Sequence, residues 1–387
     1  MIKKQAIANL FFLIALCYII SPWFFEKQLY FNEALSFIGL GMLAYHRFKI
    51  ERSELVVCIF LLLSLGVVHL LTSLWRMDGL YFYLRNSVIV YSIFAFFIGY
   101  FLYKYLPVFI NKIRNVLSLY IGFFLVVPLS RFLFERFGMS VLFPAVIHNR
   151  SLRYGLLFLM FLCLIYAFVY SSATIMILFL FYSTLLFIPG YKAARQLGLL
   201  VLISFILFFI TVQENLSIMD TFYSIYNSDG IDAVMQSNFF LGIDPSTTWR
   251  LIFWKQAIVD QFPLNIIGLG FGTPLFRFYP VYEIEKLSTL PYVMGAHNSF
   301  VYLFARMGIV YALIAFAMYR VIFKEYFYHK SFYYRNRSVL FFWSFFAITI
   351  IAFFNPVLES PIYASAYWLL LGFLAKAIAV RKLHQSV

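Results

Sequence analysis

Long apolar runs separated by short polar stretches recur along almost the whole chain. They lie at roughly 6–22, 31–46, 54–74, 86–103, 115–134, 153–170, 174–189, 197–212, 297–322, 338–356 and 362–380. A helix needs about 20 mostly apolar residues to cross the hydrocarbon core of a bilayer. No backbone group can go unpaired in lipid, and the strands of a membrane barrel would alternate in polarity, so these runs predict helices. The predicted fold is all-α: a polytopic membrane protein of about 11–12 transmembrane helices, with one large loop before the last three. The pattern divides the chain into N-terminal transmembrane helices (1–212), a large extramembrane loop (213–296) and the last three transmembrane helices (297–387).

Composition agrees with this class. Of 387 residues, 64% are hydrophobic, 22% aromatic and only 12% charged, with a mean hydropathy of +0.88. Soluble domains carry about 25% charged residues, so a cytosolic enzyme or a secreted disulfide scaffold is excluded. The net charge of +14 does not indicate a nucleic-acid partner, because Lys and Arg collect in short segments between apolar runs. These are Lys3–Lys4, Arg47 to Arg52, Lys104 to Arg114, Lys324 to Arg337 and Arg381–Lys382. Cytoplasmic loops collect basic residues in this way, which places both termini in the cytoplasm. Two cytoplasmic termini require an even number of crossings, so twelve are expected, with one not located within 115–200. The basic stretch at 324–337 reads as a cytoplasmic loop between two of the last three spans. The opening MIKK and apolar run, without a small-residue cleavage site, read as a retained first span. Cys17, Cys58 and Cys163 sit inside apolar runs and read as small hydrophobes.

The loop at 213–296 carries eight carboxylates against four Lys and Arg, which suits the outer side of the membrane. Within it, 248–262 (TWRLIFWKQAIVDQF) predicts an amphipathic helix. Its apolar stripe of Leu251, Trp254, Ile258 and Phe262 has the geometry of a helix lying on a membrane surface. On spacing alone, Arg250 reads as a side chain snorkelling to the headgroups beside Trp254. Gly268, Gly270 and Gly272 lack the strand and helix of a dinucleotide site and read as a tight turn with close backbone approach. His297 and Asn298 open the next apolar run, and a neutral imidazole is the natural general base near pH 7. Arg306 lies nine residues further into that run, where a charge is costly and marks a functional site. Asn298, Tyr302 and Arg306 recur at helical spacing, giving the helix one polar face. There is no Asp-x-Asp pair, no His-Glu-x-x-His and no carboxylate or Cys cluster spaced as metal ligands. A phosphate ester would therefore be neutralised by Arg, and no cofactor or metal is expected.

The ordered set Arg250-x-x-x-Trp254, Pro263, Gly268-x-Gly270-x-Gly272, His297-Asn298 and Gly308 resembles the bacterial O-antigen polymerase and O-antigen ligase superfamily. The resemblance covers 246–310; the remainder agrees only in architecture. It implies a multi-pass protein of the bacterial inner membrane with a periplasmic active site. There a glycan would pass from undecaprenyl pyrophosphate to a sugar hydroxyl, without a metal. Arg250 would bind the pyrophosphate and His297 would assist deprotonation of the acceptor. Arg150 and Arg153 are the candidates for further phosphate binding, and Asn298, Arg306, Trp254 and Gly270 complete the substrate-binding set. The chain lacks the Ser-Arg-Gly-like turn common in the family, and carries Arg306 where an acidic residue is usual. Implied partners are an undecaprenyl-pyrophosphate-linked oligosaccharide, membrane lipid, a chain-length regulator and other assembly proteins. A polymerase extends a lipid-linked repeat unit, whereas a ligase with the same chemistry transfers to lipid A-core; both stay open, with the polymerase preferred. A lipid-glycan transporter would need buried coupling carboxylates, which the spans scarcely provide. A membrane scaffold would leave Arg250, His297 and Arg306 without a shared purpose.

Overall fold

The computed structural model describes residues 31–105, 250, 253–273, 275–277, 292–293, 297–335 and 338–385. The apolar runs at 6–22 and between 115 and 212 lie outside the described residues, as do Arg150 and Arg153. The described chain is helical throughout apart from one two-residue ribbon. In order, the helices are α1 (Phe31–Tyr45), α2 (Glu54–Ser73), α3 (Leu80–Tyr91), α4 (Ala95–Leu102), a single turn α5 (Leu264–Ile267), α6 (Ser299–Arg335), α7 (Val339–Phe354) and α8 (Pro361–Gln385). Strand β1 (Phe276–Arg277) pairs antiparallel with β2 (Tyr292–Val293). Among the described residues four segments are long and apolar enough to cross a membrane: Glu54–Arg76, Tyr83–Tyr105, Ser299–Tyr333 and Tyr363–Gln385. This is the architecture of a multi-pass membrane protein. Helix α2 shows the physical basis, with 20 residues that at 1.5 Å each span about 30 Å, the thickness of the hydrocarbon core. It starts where the Ser53 hydroxyl accepts the Val56 amide at 3.2 Å. Helix α8 starts at Pro361, whose missing N–H costs nothing in a first turn.

One boundary differs from the sequence reading. The basic stretch expected as a loop at 324–337 is helical as far as Arg335. Charge set the expected limit, but Tyr326 and Tyr333 recur one helical face apart and are both buried. A buried ion pair between Glu325 and Arg381 of α8, at 2.8 Å, ties the same stretch down. Tyr333 donates to the second Glu325 oxygen at 2.9 Å. An ion pair out of water is sustained only when its remaining lone pairs are also satisfied. The helix therefore continues past the end of its apolar run.

The described residues fall into two compact units. The first holds 31–63, 88–105 and 315–385. Its centre is α4 against α8, with α1 on α4 and α7 on α8. Small residues set the approach: a Cβ built on Gly99 would strike the Leu369 carbonyl, and one on Gly372 the Phe96 carbonyl. Helices in lipid gain nothing from hydrophobic exclusion between themselves, so close backbone contact must supply the attraction. Around this seam the phenylalanines pack in parallel pairs, Phe341 on Phe373 at 4.7 Å and Phe323 on Phe346 at 5.0 Å. Polar groups inside find each other: Tyr319 bonds Tyr367 at 2.6 Å, and Trp343 donates to Tyr326 at 3.1 Å. Glu51 pairs with Lys376 while its amide donates to Tyr100 at 2.9 Å.

The Gly372→Val variant forces the α4 and α8 backbones apart and is expected to cost about 1–3 kcal/mol, the usual range for overpacking. Reversible unfolding in mixed micelles measures it, and a change within error would show that the seam yields freely.

Candidate functional site

The second unit holds 64–87 and the described residues from 250 to 314. Its organising feature is a distortion of α6 at Gly308, where φ is +76°. A left-handed residue inside a helix turns the following amides away from the preceding carbonyls. The freed carbonyls take new donors: Ala305 accepts the Leu269 amide and Arg306 the Gly270 amide, both at 2.9 Å. The Met307 carbonyl is directed to the His69 imidazole. Close approach needs glycine on both sides. A Cβ at Gly268 (φ +103°) would strike Arg306 and Gly308, and one at Gly308 would strike the carbonyls of Ile266 and Ile267.

The turn from Gly268 to Thr273 is held at almost every polar atom. Arg306 is 2% exposed, and its Nη1 donates to the Gly270 carbonyl at 2.8 Å and the Thr273 carbonyl at 2.6 Å. Its guanidinium also lies over the Tyr302 ring, 5.1 Å from the centroid. Ser73 accepts the Phe271 amide at 2.8 Å. Asn86 donates to the Phe271 carbonyl at 2.9 Å and accepts from the Tyr302 hydroxyl at 2.6 Å. The Asp78 amide donates to the Gly272 carbonyl at 3.0 Å. Among the described residues Arg306 has carbonyls and a ring but no carboxylate. Those carbonyl dipoles keep the buried guanidinium solvated.

Asn298 caps α6: its side-chain oxygen accepts the amides of Phe300 at 3.0 Å and Val301 at 3.1 Å, the usual means of satisfying first-turn donors. Immediately before it, His297 adopts a left-handed backbone (φ 49°) and is half-buried. Its pKa is pushed down to about 4, first by burial and then by the Arg250 guanidinium nearby. The imidazole is therefore neutral at physiological pH. Arg250 is helical, Trp254 lies in the helical stretch from Phe253 to Asp260, and both are half-buried.

That helix turns a different face into the protein from the one expected to lie on the membrane. Phe253 and Ala257 point into the unit, at 2% and 0% exposure, and the turn widens to a π-helix over Gln256–Asp260. Ile258 and Phe262 of the expected stripe are exposed, and the exposed apolar surface continues through Leu264, Ile266 and Ile267. This remains the surface of a segment lying on lipid. Asn265, almost fully buried, closes the segment by donating to the carbonyls of Ala257 at 2.9 Å and Ile258 at 2.7 Å.

Of the residues named from sequence, Gly270 and Arg306 meet directly, and Arg250 and His297 are coupled electrostatically. Ser73 and Asn86 were missed. Each is a polar side chain in or beside an apolar run, a weak signal that gains meaning only once Phe271 lies against both. Among the described residues no three His, Cys, Asp or Glu gather as metal ligands. The arrangement offers a neutral imidazole, a neighbouring guanidinium and a rigid turn, a set suited to binding an anion beside a proton acceptor. No protein-family model, no curated protein and no solved structure matches the chain.

Two outcomes test this geometry. In a titration of labelled histidine followed by NMR, His297 is expected to protonate near pH 4; Arg250→Gln moves the midpoint upward but keeps it below 6.5, since burial is the larger cause. An unchanged midpoint would separate the two residues. Asn86→Ala strands the Phe271 carbonyl and is expected to cost about 1–3 kcal/mol of stability, read from unfolding in mixed micelles.

Proposed function

We propose that the chain is a membrane glycosyltransferase of the O-antigen polymerase kind, working at the periplasmic face of the bacterial inner membrane. The observation that carries this reading is the pairing of a neutral, half-buried His297 with the Arg250 guanidinium. The donor is a glycan on undecaprenyl pyrophosphate and the acceptor a hydroxyl of a lipid-linked repeat unit. The acceptor oxygen attacks the anomeric carbon, the carbon–oxygen bond to pyrophosphate breaks, and undecaprenyl pyrophosphate leaves. His297 takes the acceptor's proton as the new bond forms.

A diphosphate is already a good leaving group, so the protein's main task is to stabilise the charge that collects on it. Preorganised cations in a low-dielectric site do this most effectively. Arg250 is the direct ligand in this reading. Arg306 acts through the backbone, holding the Gly268–Thr273 turn, and Asn298 fixes the helix start that orients His297. Trp254 offers a ring face to a sugar. The exposed apolar residues from Ile258 to Ile267 would keep this machinery at the lipid surface from which a polyprenyl tail arrives.

In a strain lacking the gene, lipopolysaccharide is expected to run as core bearing a single repeat unit. Core without repeats, with polymer retained on its lipid carrier, would indicate a ligase instead; an unchanged ladder would overturn both. Complementation with Arg250→Ala or His297→Ala is expected to fail although the protein inserts. In vesicles, chain extension by the wild-type protein is expected to hold from neutral pH down to about 5 and fall near pH 4. A decline centred at 6.5 would remove His297 as the base.

A further inference from the structure

A second cationic site lies in the first unit. Arg52, Ser53, Glu54, Val57 and Cys58 at the start of α2, Phe316 to Lys324 on α6 and Lys382 at the end of α8 line an open groove of about 720 Å³. Phe316, Arg320 and Lys324 recur at i, i+4 and i+8, so one face of α6 forms the wall. The polar end presents Arg52, Arg320, Lys324 and Lys382 against the single carboxylate of Glu54. The opposite end is apolar and open, with Val57 50% and Phe316 70% exposed.

Two other cations of this unit are paired. Lys376 meets Glu51 and Arg381 meets Glu325. Among the described residues, none of the four groove cations makes an ion pair or a hydrogen bond. Four like charges lining one groove repel one another unless an anion joins them. Apolar side chains running from that cluster along two membrane helices supply what an acyl chain needs. The combination of a basic rim and an apolar wall along membrane helices is the chemistry of a lipid headgroup site at a membrane surface. The volume lies within the range of small-molecule sites.

We propose that this groove binds one anionic diacyl phospholipid, its phosphodiester held by Arg52, Arg320, Lys324 and Lys382 and an acyl chain lying along Val57, Phe316 and Val321. The lipid completes the charge balance among α2, α6 and α8. The site is separate from the proposed transferase chemistry, and its occupancy does not depend on that reading.

Native mass spectrometry of the full chain released from detergent tests this with phosphatidylglycerol as the probe. The wild type is expected to retain one phosphatidylglycerol and no phosphatidylcholine under matched activation. Arg320→Gln with Lys324→Gln is expected to lower retention at least about tenfold, from the loss of two surface cations, while Arg335→Gln, an exposed cation of α6 outside the groove, leaves it unchanged. Lys382→Gln alone is expected to lower retention severalfold and serves if the double variant does not fold, as judged by its helical circular dichroism. Equal loss in Arg335→Gln would reduce the effect to general charge attraction and overturn the site. Unchanged retention in the folded groove variants would also overturn it. Complete displacement of the lipid by millimolar inorganic phosphate would show a free-anion site and overturn the lipid assignment.

Discussion

The second unit depends on one break in a helix. At Gly308 the helix abandons its own pattern, and the carbonyls it releases are taken up by the amides of Leu269 and Gly270. A membrane helix normally satisfies every backbone group within itself, because lipid supplies no partner. Breaking that rule is tolerable only if another segment brings donors to the same place. The glycine-rich turn does so, and no side chain at Gly268 or Gly308 could share the space. The loop is thus positioned by backbone hydrogen bonds, which are short, directional and expensive to leave unmade.

Everything else in that unit follows from where the turn lands. Arg306 can be almost fully buried because two turn carbonyls are aimed at it; without the turn it would be an isolated charge in an apolar environment. Ser73 and Asn86 can sit in apolar helices because Phe271 presents them an amide and a carbonyl. His297 stands just before the capped start of the same helix, close enough to Arg250 for its charge to be felt. The proposed chemistry requires this rigidity, since a base and an anion ligand work together only when their separation is fixed. Each polar group in this network is justified by the others, so removal of one strands its partner.

The first unit solves a different problem by a different means. Its helices carry little that is polar, and they hold together through glycine-mediated backbone approach and stacked phenylalanines. Its charges are paired between segments, as in Glu325–Arg381 and Glu51–Lys376, or gathered into the groove around Arg320 and Lys324. Long apolar stretches in the sequence mark where this arrangement begins; its pairings are visible only in three dimensions.

Hydrophobic period and length by themselves determined that this chain is helical and crosses a membrane. The runs at 31–46, 54–74, 338–356 and 362–380 coincide with α1, α2, α7 and α8 to within a few residues, because burial in lipid is decided residue by residue. The run at 297–322 found the start of α6, but charge hid its end, since the partner of Glu325 lies 56 residues further along. The glycine spacing and Gly308 were legible as a close approach, and Arg306 as a costly charge. Which carbonyls that charge meets was not legible, because the answer belongs to a turn 33 to 36 residues earlier in the chain. The sequence stripe marked the face of the loop helix left outward at Ile258 and Phe262, but which residues pack inward, Phe253 and Ala257, was decided by packing. Local composition reports the solvent a segment prefers. Only the tertiary structure decides which polar groups meet inside, because those hydrogen bonds join residues as far apart as Asn86 and Tyr302.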